Sequence, residues 1–226
     1  MALQFSRRFV FGAAALAAPA AAQPGPAAKP VKIIGVACSP RKGRTTAAAV
    51  QAALEAARQA GAGVETEFID LGGLKMQGAL AAGVPLAEGE RDDFPPIAAK
   101  LRAPEVGGII LGTPVYFTNM SALAKEFLDR WMAFRKDFAL RDKVGGAIAV
   151  GAARNGGQEV TLQTIHAAML CQDMIIVSDG RPTARLGGIL VSANEDISKD
   201  ELGLTTARGL GRRVAEVALR LRQGGA

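Results

Sequence analysis

The sequence has few of the side chains that most often bind metals, form disulfides or carry nucleophilic catalysis. Its 226 residues include two cysteines, one histidine, one tryptophan and one tyrosine. This set excludes a zinc site of four cysteines, a zinc site of two cysteines and two histidines, and a disulfide scaffold. A hydrolytic mechanism would depend on His166, whose place in the middle of a predicted helix favours a surface or interface residue. We therefore predict no metal site and no catalytic side chain.

Aromatic residues are also scarce, and the basic charge is spread along the chain. At 5% aromatic content, single-stranded nucleic acid would find few rings to stack on. The formal net charge is +6, but the cations alternate with acids except in the run Arg41-Lys42-Gly43-Arg44. A composition of 49% hydrophobic and 21% charged residues is typical of a folded globular domain. We predict one domain over residues 31–226 and no nucleic-acid partner.

The amino terminus has the pattern of an export signal. Residues 5–11 read Phe-Ser-Arg-Arg-Phe-Val-Phe, and a small apolar run follows, ending in Ala20-Ala21-Ala22. This resembles a twin-arginine signal peptide. A membrane anchor is the alternative, but the apolar run is well short of the roughly 20 residues that a span needs. We expect removal of residues 1–22, a flexible mature amino terminus at 23–30, a periplasmic location and no stable membrane span.

Apolar runs of strand length alternate with segments of helical periodicity along the rest of the chain. Such alternation is typical of βαβ crossovers and of a parallel sheet with helices on both faces. The pattern predicts a three-layer flavodoxin-like α/β domain with a five-stranded parallel sheet of order 2-1-3-4-5. A Rossmann fold needs a Gly-x-Gly-x-x-Gly turn after the first strand, where this chain has only Gly43. The predicted strands are 31–37, 64–69, 106–111, 144–150 and 174–177; the predicted helices are 46–60, 93–101, 121–134, 158–169 and 199–221.

The first of three informative loops joins the first strand to the first helix. It reads Ser39-Pro-Arg-Lys-Gly-Arg-Thr-Thr46, so hydroxyls, cations and the free amides of a helix amino end would converge on one point. That arrangement suits a phosphate, and the alternative is a capped turn with surface cations. The loop lacks the Gly-Lys-Ser/Thr ending of a nucleoside triphosphate hydrolase.

The two other loops lie at the same predicted edge of the sheet. The segment 112–120, Gly-Thr-Pro-Val-Tyr-Phe-Thr-Asn-Met, offers backbone amides and an apolar wall to a flat ring; alternatively, Tyr116 and Phe117 simply cover the core. The segment 151–157, Gly-Ala-Ala-Arg-Asn-Gly-Gly, lets the backbone approach a ligand closely, or is a flexible connector.

Together these three segments, with the Gly-Gly-Gln-Glu run at 156–159, resemble the FMN loops of the NADPH-dependent FMN reductase family and its iron-sulfur flavoprotein relatives. The resemblance covers roughly residues 31–177. It implies non-covalent FMN, electron transfer from a nicotinamide to flavins, quinones or related acceptors, and a homodimer or homotetramer. Carried over by position, it implies phosphate contacts from Ser39, Arg41, Gly43, Thr45 and Thr46, ring contacts from Pro114, Val115, Tyr116, Phe117, Asn119 and Met120, and third-loop contacts from Arg154, Asn155, Gly156 and Gly157.

The chain departs from the family pattern in two places. Cys38, Arg44 and Thr45 replace the usual Gly, small residue and Asn of the phosphate loop, which affects phosphate affinity. The iron-sulfur relatives carry Cys-x-Gly-Cys-x-x-Cys after the second strand, and residues 76–82 here contain no cysteine. No cluster is therefore expected. Cys38 and Cys171 are expected at opposite edges of the sheet, too far apart for a disulfide.

The main hypothesis is an exported FMN-dependent oxidoreductase that passes electrons from NAD(P)H or another donor to a flavin, quinone or related small acceptor. Amides of the 113–119 loop would tune the flavin, and Arg154 would hold an anionic donor or the reduced ring. The alternative is an exported FMN-binding electron carrier acting between protein partners. A third hypothesis is a flavodoxin-like domain that has lost FMN and serves binding only.

Overall fold

A computed structural model describes residues 30–224 of the chain. A parallel sheet forms its centre. The strands are β1 Val31–Ala37, β2 Val64–Asp70, β3 Val106–Pro114, β4 Val144–Gly151, β5 Ile175–Ile176 and β6 Gly188–Val191, and the helices are α1 Thr45–Arg58, α2 Phe94–Arg102, α3 Ala122–Asp129, α4 Gln158–Leu170 and α5 Glu201–Gly224. The main strand order is β2-β1-β3-β4-β5, and β6 also pairs with β4. This confirms the predicted flavodoxin-like α/β fold.

The place of the predicted fifth strand is filled by two short segments. β5 pairs with the start of β4, at Val144 and Gly145, and β6 pairs with its end, from Ile148 to Gly151. The sequence pattern located the first segment and missed β6, because residues 177–187 leave the sheet between them. Asp179 closes this excursion by accepting hydrogen bonds from the Thr183 hydroxyl and the Arg185 N–H.

The two faces of the sheet are covered by different sets of helices. α1 and α5 pack against one face, with a core of Ala, Val, Ile and Leu side chains. α2, α3 and α4 cover the other face, where the core also contains Phe94, Phe127, Trp131 and Phe134. The site described below lies where loops from both faces meet, at the carboxyl ends of the strands.

The predicted helix 121–134 is split. α3 ends at Asp129, and a 3-10 helix continues over Arg130–Phe134. Because side chains three residues apart eclipse each other in a 3-10 helix, both Trp131 and Phe134 reach the core, where they are buried. The helical periodicity of residues 121–134 also predicts an apolar stripe that includes Met132, but the structure leaves Met132 60% exposed.

The predicted signal peptide and most of the mature amino-terminal segment lie outside the described residues. Within residues 30–224, no helix is both long enough and apolar enough to cross a membrane. Both cysteines are free thiols: Cys38 is buried beyond the end of β1, and Cys171 is exposed beyond the end of α4. His166 is half-buried in α4.

Candidate functional site

The amino end of α1 forms one side of the candidate site. Gly43 turns the chain into the helix with a left-handed φ of +68°, and Thr45 and Thr46 begin the helix and are buried. No side chain among residues 30–224 caps α1, and its first turn contains no acid. Free N–H groups and the positive end of the helix dipole attract anions. This helix end can therefore hold a phosphate.

Asp70, at the end of β2, fixes the shape of this phosphate loop. Its carboxylate accepts hydrogen bonds from the N–H groups of Gly43, at 2.8 Å, and Gly72, at 2.9 Å. Gly72 lies so close to Lys42 that an added Cβ would come within 2.6 Å of the Lys42 Cα. Sequence reasoning missed Asp70, and the available signal was its place at the carboxyl end of a predicted strand.

Two cations of the phosphate loop are paired with an acid from a distant part of the chain. Arg41 donates to the Glu195 carboxylate, and Arg44 Nη1 lies 3.6 Å from Glu195 Oε2. All three side chains are about half exposed. Sequence reasoning missed Glu195, since 154 residues separate it from Arg41.

Ser39, the first predicted phosphate ligand, is buried and its hydroxyl accepts a hydrogen bond from the Arg41 N–H at 3.2 Å. The neighbouring thiol cannot act as a nucleophile. Burial, and secondly the charge of Asp70, raise the pKa of Cys38 far above its ordinary range, so the thiolate does not form at neutral pH.

The second loop is a tight turn that closes on itself. Tyr116 and Asn119 exchange backbone hydrogen bonds of 2.8 and 3.0 Å, and the two residues between them, Phe117 and Thr118, have φ values of 50° and 60°. Such a turn matches the twist of a hairpin. Phe117 is fully exposed and Tyr116 is nearly half exposed. These two rings therefore do not cover the core, contrary to the alternative that the sequence left open.

The turn also narrows the set of amides that could meet a ligand. The Val115 N–H donates to Val150, and the N–H groups of Tyr116 and Asn119 are used within the turn. Within the part of the chain that the structure describes, the N–H groups of Phe117 and Thr118 make no such bond. The expectation that amides of the whole 113–119 loop tune a flavin therefore reduces to these two at the tip.

A buried hydroxyl network holds the second loop to the first. The Ser121 hydroxyl donates to the Cys38 carbonyl at 2.7 Å and caps α3 by accepting from Ala124 N–H at 3.1 Å. The Ser121 N–H in turn donates to the hydroxyl of Thr113, at 3.0 Å. Ser121 is a positioning residue that the sequence reasoning did not select, although it follows the Asn-Met pair of the quoted motif.

The remaining second-loop residues divide between the core and α4. Pro114 ends β3 opposite Val150, and the side chains of Val115 and Met120 pack against the aromatic core. The Asn119 side chain accepts from the Met120 N–H at 2.8 Å and from the Thr164 hydroxyl of α4 at 3.1 Å. Asn119 therefore fixes the turn to the helix beside it.

The third loop is supported by Gln158, the first residue of α4. Gln158 is buried, its Oε1 accepts from Gly156 N–H at 2.9 Å, and its Nε2 donates to the Ala153 carbonyl at 2.7 Å. Gly157 has a φ of +100° and lies so close to Thr118 that a Cβ would come within 2.6 Å of its side chain. The second and third loops are thus in direct contact. The Gly-Gly-Gln-Glu run contained the signal for Gln158, which was not selected as a site residue.

Arg154 is directed away from this contact. Its guanidinium donates to Asp200, whose other carboxylate oxygen accepts from Val191 N–H at 2.7 Å. Asn155 follows with a φ of 59°. The structure therefore brings the phosphate loop, the second loop and Gly156–Gly157 to one edge of the sheet, while the Arg154 side chain binds the start of α5.

Known proteins resemble this chain in sequence and in fold. Residues 31–185 match the family described as NADPH-dependent FMN reductase. The chain belongs to this family. It is 46% identical over 191 residues to an iron-sulfur flavoprotein of Methanocaldococcus jannaschii, a match that covers 83% of this chain and 97% of the relative. It is 37% identical over 191 residues to an iron-sulfur flavoprotein of Methanosarcina thermophila, covering 83% and 95%.

A solved structure agrees in fold. The WrbA-like flavodoxin of Agrobacterium tumefaciens superposes with a TM-score of 0.60 at 25% identity, over 84% of this chain and 98% of that one.

The residues of this FMN reductase family member fit FMN. The uncapped amino end of α1 and the guanidinium of Arg41 suit the phosphate. The space beside Gly43 is open, with no atom of the described residues within 4 Å of an added Cβ. The exposed ring of Phe117 and the free tip amides suit the planar ring system.

An iron-sulfur cluster does not fit this chain. Two cysteines are too few for a cluster with cysteine ligands, and the described residues contain no group of three or more His, Cys, Asp or Glu that could hold a metal. The region after β2 is instead held by Arg130, which donates to the Met76 carbonyl at 2.6 Å and to both oxygens of Asp92. The pKa of Asp92 is lowered chiefly by this hydrogen bond.

Proposed function

We propose that this protein is an FMN-dependent oxidoreductase that passes electrons from NAD(P)H or another donor to a flavin, quinone or related small acceptor. The observation that carries the proposal is the amino end of α1, which is uncapped, free of acids in its first turn, and flanked by Arg41. The family description supports the nicotinamide donor. The identities of the electron donor and of the electron acceptor are both part of the proposal.

In this proposal the protein contributes binding and orientation. Ser39, Arg41, Thr45 and Thr46 hold the phosphate, and the tip of the second loop lies against the ring. FMN, when bound, supplies the acceptance and release of electrons. The tip amide of Thr118 offers a hydrogen-bond donor, and the Gly157 backbone beside it keeps the turn in place. In this proposal none of the described side chains acts as a general acid or a general base.

The role of Arg154 toward an anionic donor stays a prediction. Its pairing with Asp200 leaves the side chain 40% exposed, beside a cavity of about 260 Å³ that Lys199 also lines. Arg154→Ala is expected to raise KM for a nicotinamide donor and leave kcat unchanged, because the donor is bound less tightly while the flavin keeps its place. Unchanged kinetics would remove this role.

We further propose that the protein is exported to the periplasm and forms a homodimer or homotetramer. The Phe-Ser-Arg-Arg-Phe-Val-Phe run supports export. A cleft lined by the exposed side chains of Met132, Phe138 and Leu170 supports self-association. Fractionation of cells carrying the tagged full chain tests the first proposal, with Arg7→Lys/Arg8→Lys as the control that should retain the protein in the cytoplasm. Light scattering of the purified protein tests the second.

The experiment for the proposed reaction is an anaerobic visible spectrum of the FMN-loaded protein before and after NADH or NADPH. An FMN-dependent oxidoreductase that uses these donors is expected to bleach within the mixing time, whereas free FMN under the same conditions serves as the slow control. A spectrum that stays oxidised with both nucleotides, yet bleaches with dithionite, would contradict a nicotinamide donor.

One observation favours the electron carrier as a second candidate. Phe117 is fully exposed beside the candidate ring site, as expected where a protein partner docks over a flavin edge. Phe117→Ala would then slow reduction by a protein donor and leave reduction by dithionite unchanged. If every protein donor tested reduces the wild type and Phe117→Ala at equal rates, the electron-carrier function is excluded.

A further inference from the structure

The cations of the phosphate loop already have an anionic partner, and that partner lies on another loop at the same edge of the sheet. Glu195 is in the turn Ala193–Asp196, which follows β6 after one residue, Ser192. Its carboxylate accepts from Arg41 and lies within salt-bridge distance of Arg44, at 3.6 Å. A single carboxylate therefore engages the two guanidinium groups that flank the amino end of α1.

The turn that carries Glu195 has a fixed base. The Ser192 N–H donates to the Gly151 carbonyl at 2.8 Å, and Ala193 and Asp196 exchange backbone hydrogen bonds of 3.0 Å each. Asn194 and Glu195 have φ values of 50° and 61°, the same kind of tight turn as Tyr116–Asn119. The backbone thus holds the Glu195 carboxylate beside the phosphate loop.

Among the described residues, the Glu195 carboxylate pairs with Arg41 and Arg44, and not with the neighbouring Lys42. Asp70, the second acid at the loop, has its carboxylate committed to the N–H groups of Gly43 and Gly72. Lys42 is exposed between the two arginines in the sequence. A phosphate entering at the amino end of α1 carries close to two negative charges, so it must take Arg41 from Glu195 or share it with a like charge a few ångströms away.

We infer that Glu195 competes with the FMN phosphate for Arg41 and Arg44 and thereby lowers the affinity of the protein for FMN. The inference rests on the proposed function, because it requires the FMN phosphate to bind at the amino end of α1. Exposed ion pairs are weak, since solvent screens them. The phosphate can therefore displace Glu195, and the carboxylate can return when the phosphate leaves.

The test compares FMN with riboflavin, which lacks the phosphate. The Kd of each flavin is measured by fluorescence quenching for the wild-type protein, Glu195→Gln and the control Glu55→Gln. Glu55 is also an exposed carboxylate paired with an arginine, Arg58, at 2.7 Å, but it lies about 15 Å along α1 from Thr45 at 1.5 Å per residue. That separation exceeds the Debye length of about 8 Å in physiological salt.

Glu195→Gln is expected to bind FMN about fivefold more tightly in physiological salt, with riboflavin and Glu55→Gln unchanged. The gain should shrink toward none in 1 M salt, where the Debye length is about 3 Å. Equal or weaker FMN binding by Glu195→Gln, or an equal gain for riboflavin, would overturn the inference while leaving the FMN site intact. Failure of both flavins to bind any of the three proteins would overturn the FMN site itself, and the inference with it.

Discussion

The two faces of the sheet are packed with side chains of different size. On the α1/α5 face, small residues let helices and strands approach closely: a Cβ on Gly211 of α5 would lie 1.8 Å from the Ala53 carbonyl oxygen of α1. On the other face, large rings fill the space, and Trp131 packs edge-on against Phe127 and Phe134. Added atoms on the first face, and removed atoms on the second, should therefore lower the free energy of unfolding.

The two halves of the candidate site lead into helices on different faces of the sheet. The phosphate loop leads into α1 and binds through backbone amides and cations. The second and third loops lead into α3 and α4 and offer a closed turn and an exposed ring. We expect charge to govern affinity on one side of the site, and shape to govern it on the other.

The largest expected effect is on the aromatic face. Trp131→Ala removes a fully buried side chain from the ring cluster, and the free energy of unfolding should fall by about 3–5 kcal/mol. Chemical denaturation followed by far-UV circular dichroism measures it.

Trp131→Phe is the matched control for that variant. The Trp131 indole N–H has no hydrogen-bond partner among the described residues, so replacing it with Phe keeps most of the apolar contact and loses no hydrogen bond. A Trp131→Ala protein as stable as Trp131→Phe would contradict the account of this face.

The second effect tests the small-residue face. Gly211→Ala adds one methyl group against the Ala53 backbone, which cannot rotate away, and the free energy of unfolding should fall by about 2 kcal/mol. Gly224→Ala, at the end of the same helix, meets no described atom within 4 Å. We expect it to be neutral or slightly stabilising. Equal stability of the two variants by thermal or chemical denaturation would show that α1 and α5 do not pack this closely.

The third effect separates the two halves of the site. Arg41→Gln should weaken FMN binding about tenfold, as expected for a lost charged hydrogen bond, and leave riboflavin binding unchanged. Phe117→Ala should weaken both flavins by the same factor, because the ring system is common to them. Isothermal titration calorimetry of the wild type and the two variants gives all six constants. An equal loss of both flavins in Arg41→Gln would mean that Arg41 does not meet the phosphate.

The smallest effect concerns pH. Burial lowers the pKa of His166, and its Nε2 is buried without a hydrogen-bond partner among the described residues. His166 therefore binds a proton more readily in the unfolded chain than in the folded protein. Its contribution to stability is present above about pH 6.5 and is lost as the pH falls below that value. His166→Phe should lose less stability than the wild type between pH 7.5 and 5.5. Parallel denaturation curves for the two proteins at both pH values would contradict this.

The sequence predicted the parts of the molecule that depend on local patterns. Buried parallel strands such as Val31–Ala37 read as continuous apolar runs, and their order followed from the crossover pattern. The three loops were found because they follow those strands. The assignment of individual contacts in the loops stays a prediction drawn from the family resemblance.

The parts that were missed depend on contacts between distant residues. β6 follows an eleven-residue excursion, 177–187, whose closure by Asp179 is a tertiary feature. Glu195 acts on the phosphate loop from another element, and no local pattern reports that. For Asp70 the sequence shows its place at the end of a predicted strand, but not its hydrogen bond to Gly43. Met132 was misplaced because the α-helical period gave way to a 3-10 turn, which changed the faces of the residues that follow Asp129.

A crystal structure of the protein with FMN would test the central claim most directly. The account predicts phosphate oxygens of FMN within hydrogen-bonding distance of the Thr45 and Thr46 N–H groups, and the ring against the Tyr116–Asn119 turn. A phosphate bound elsewhere, for example in the arginine-lined cleft of Arg181, Arg212 and Arg213, would contradict it.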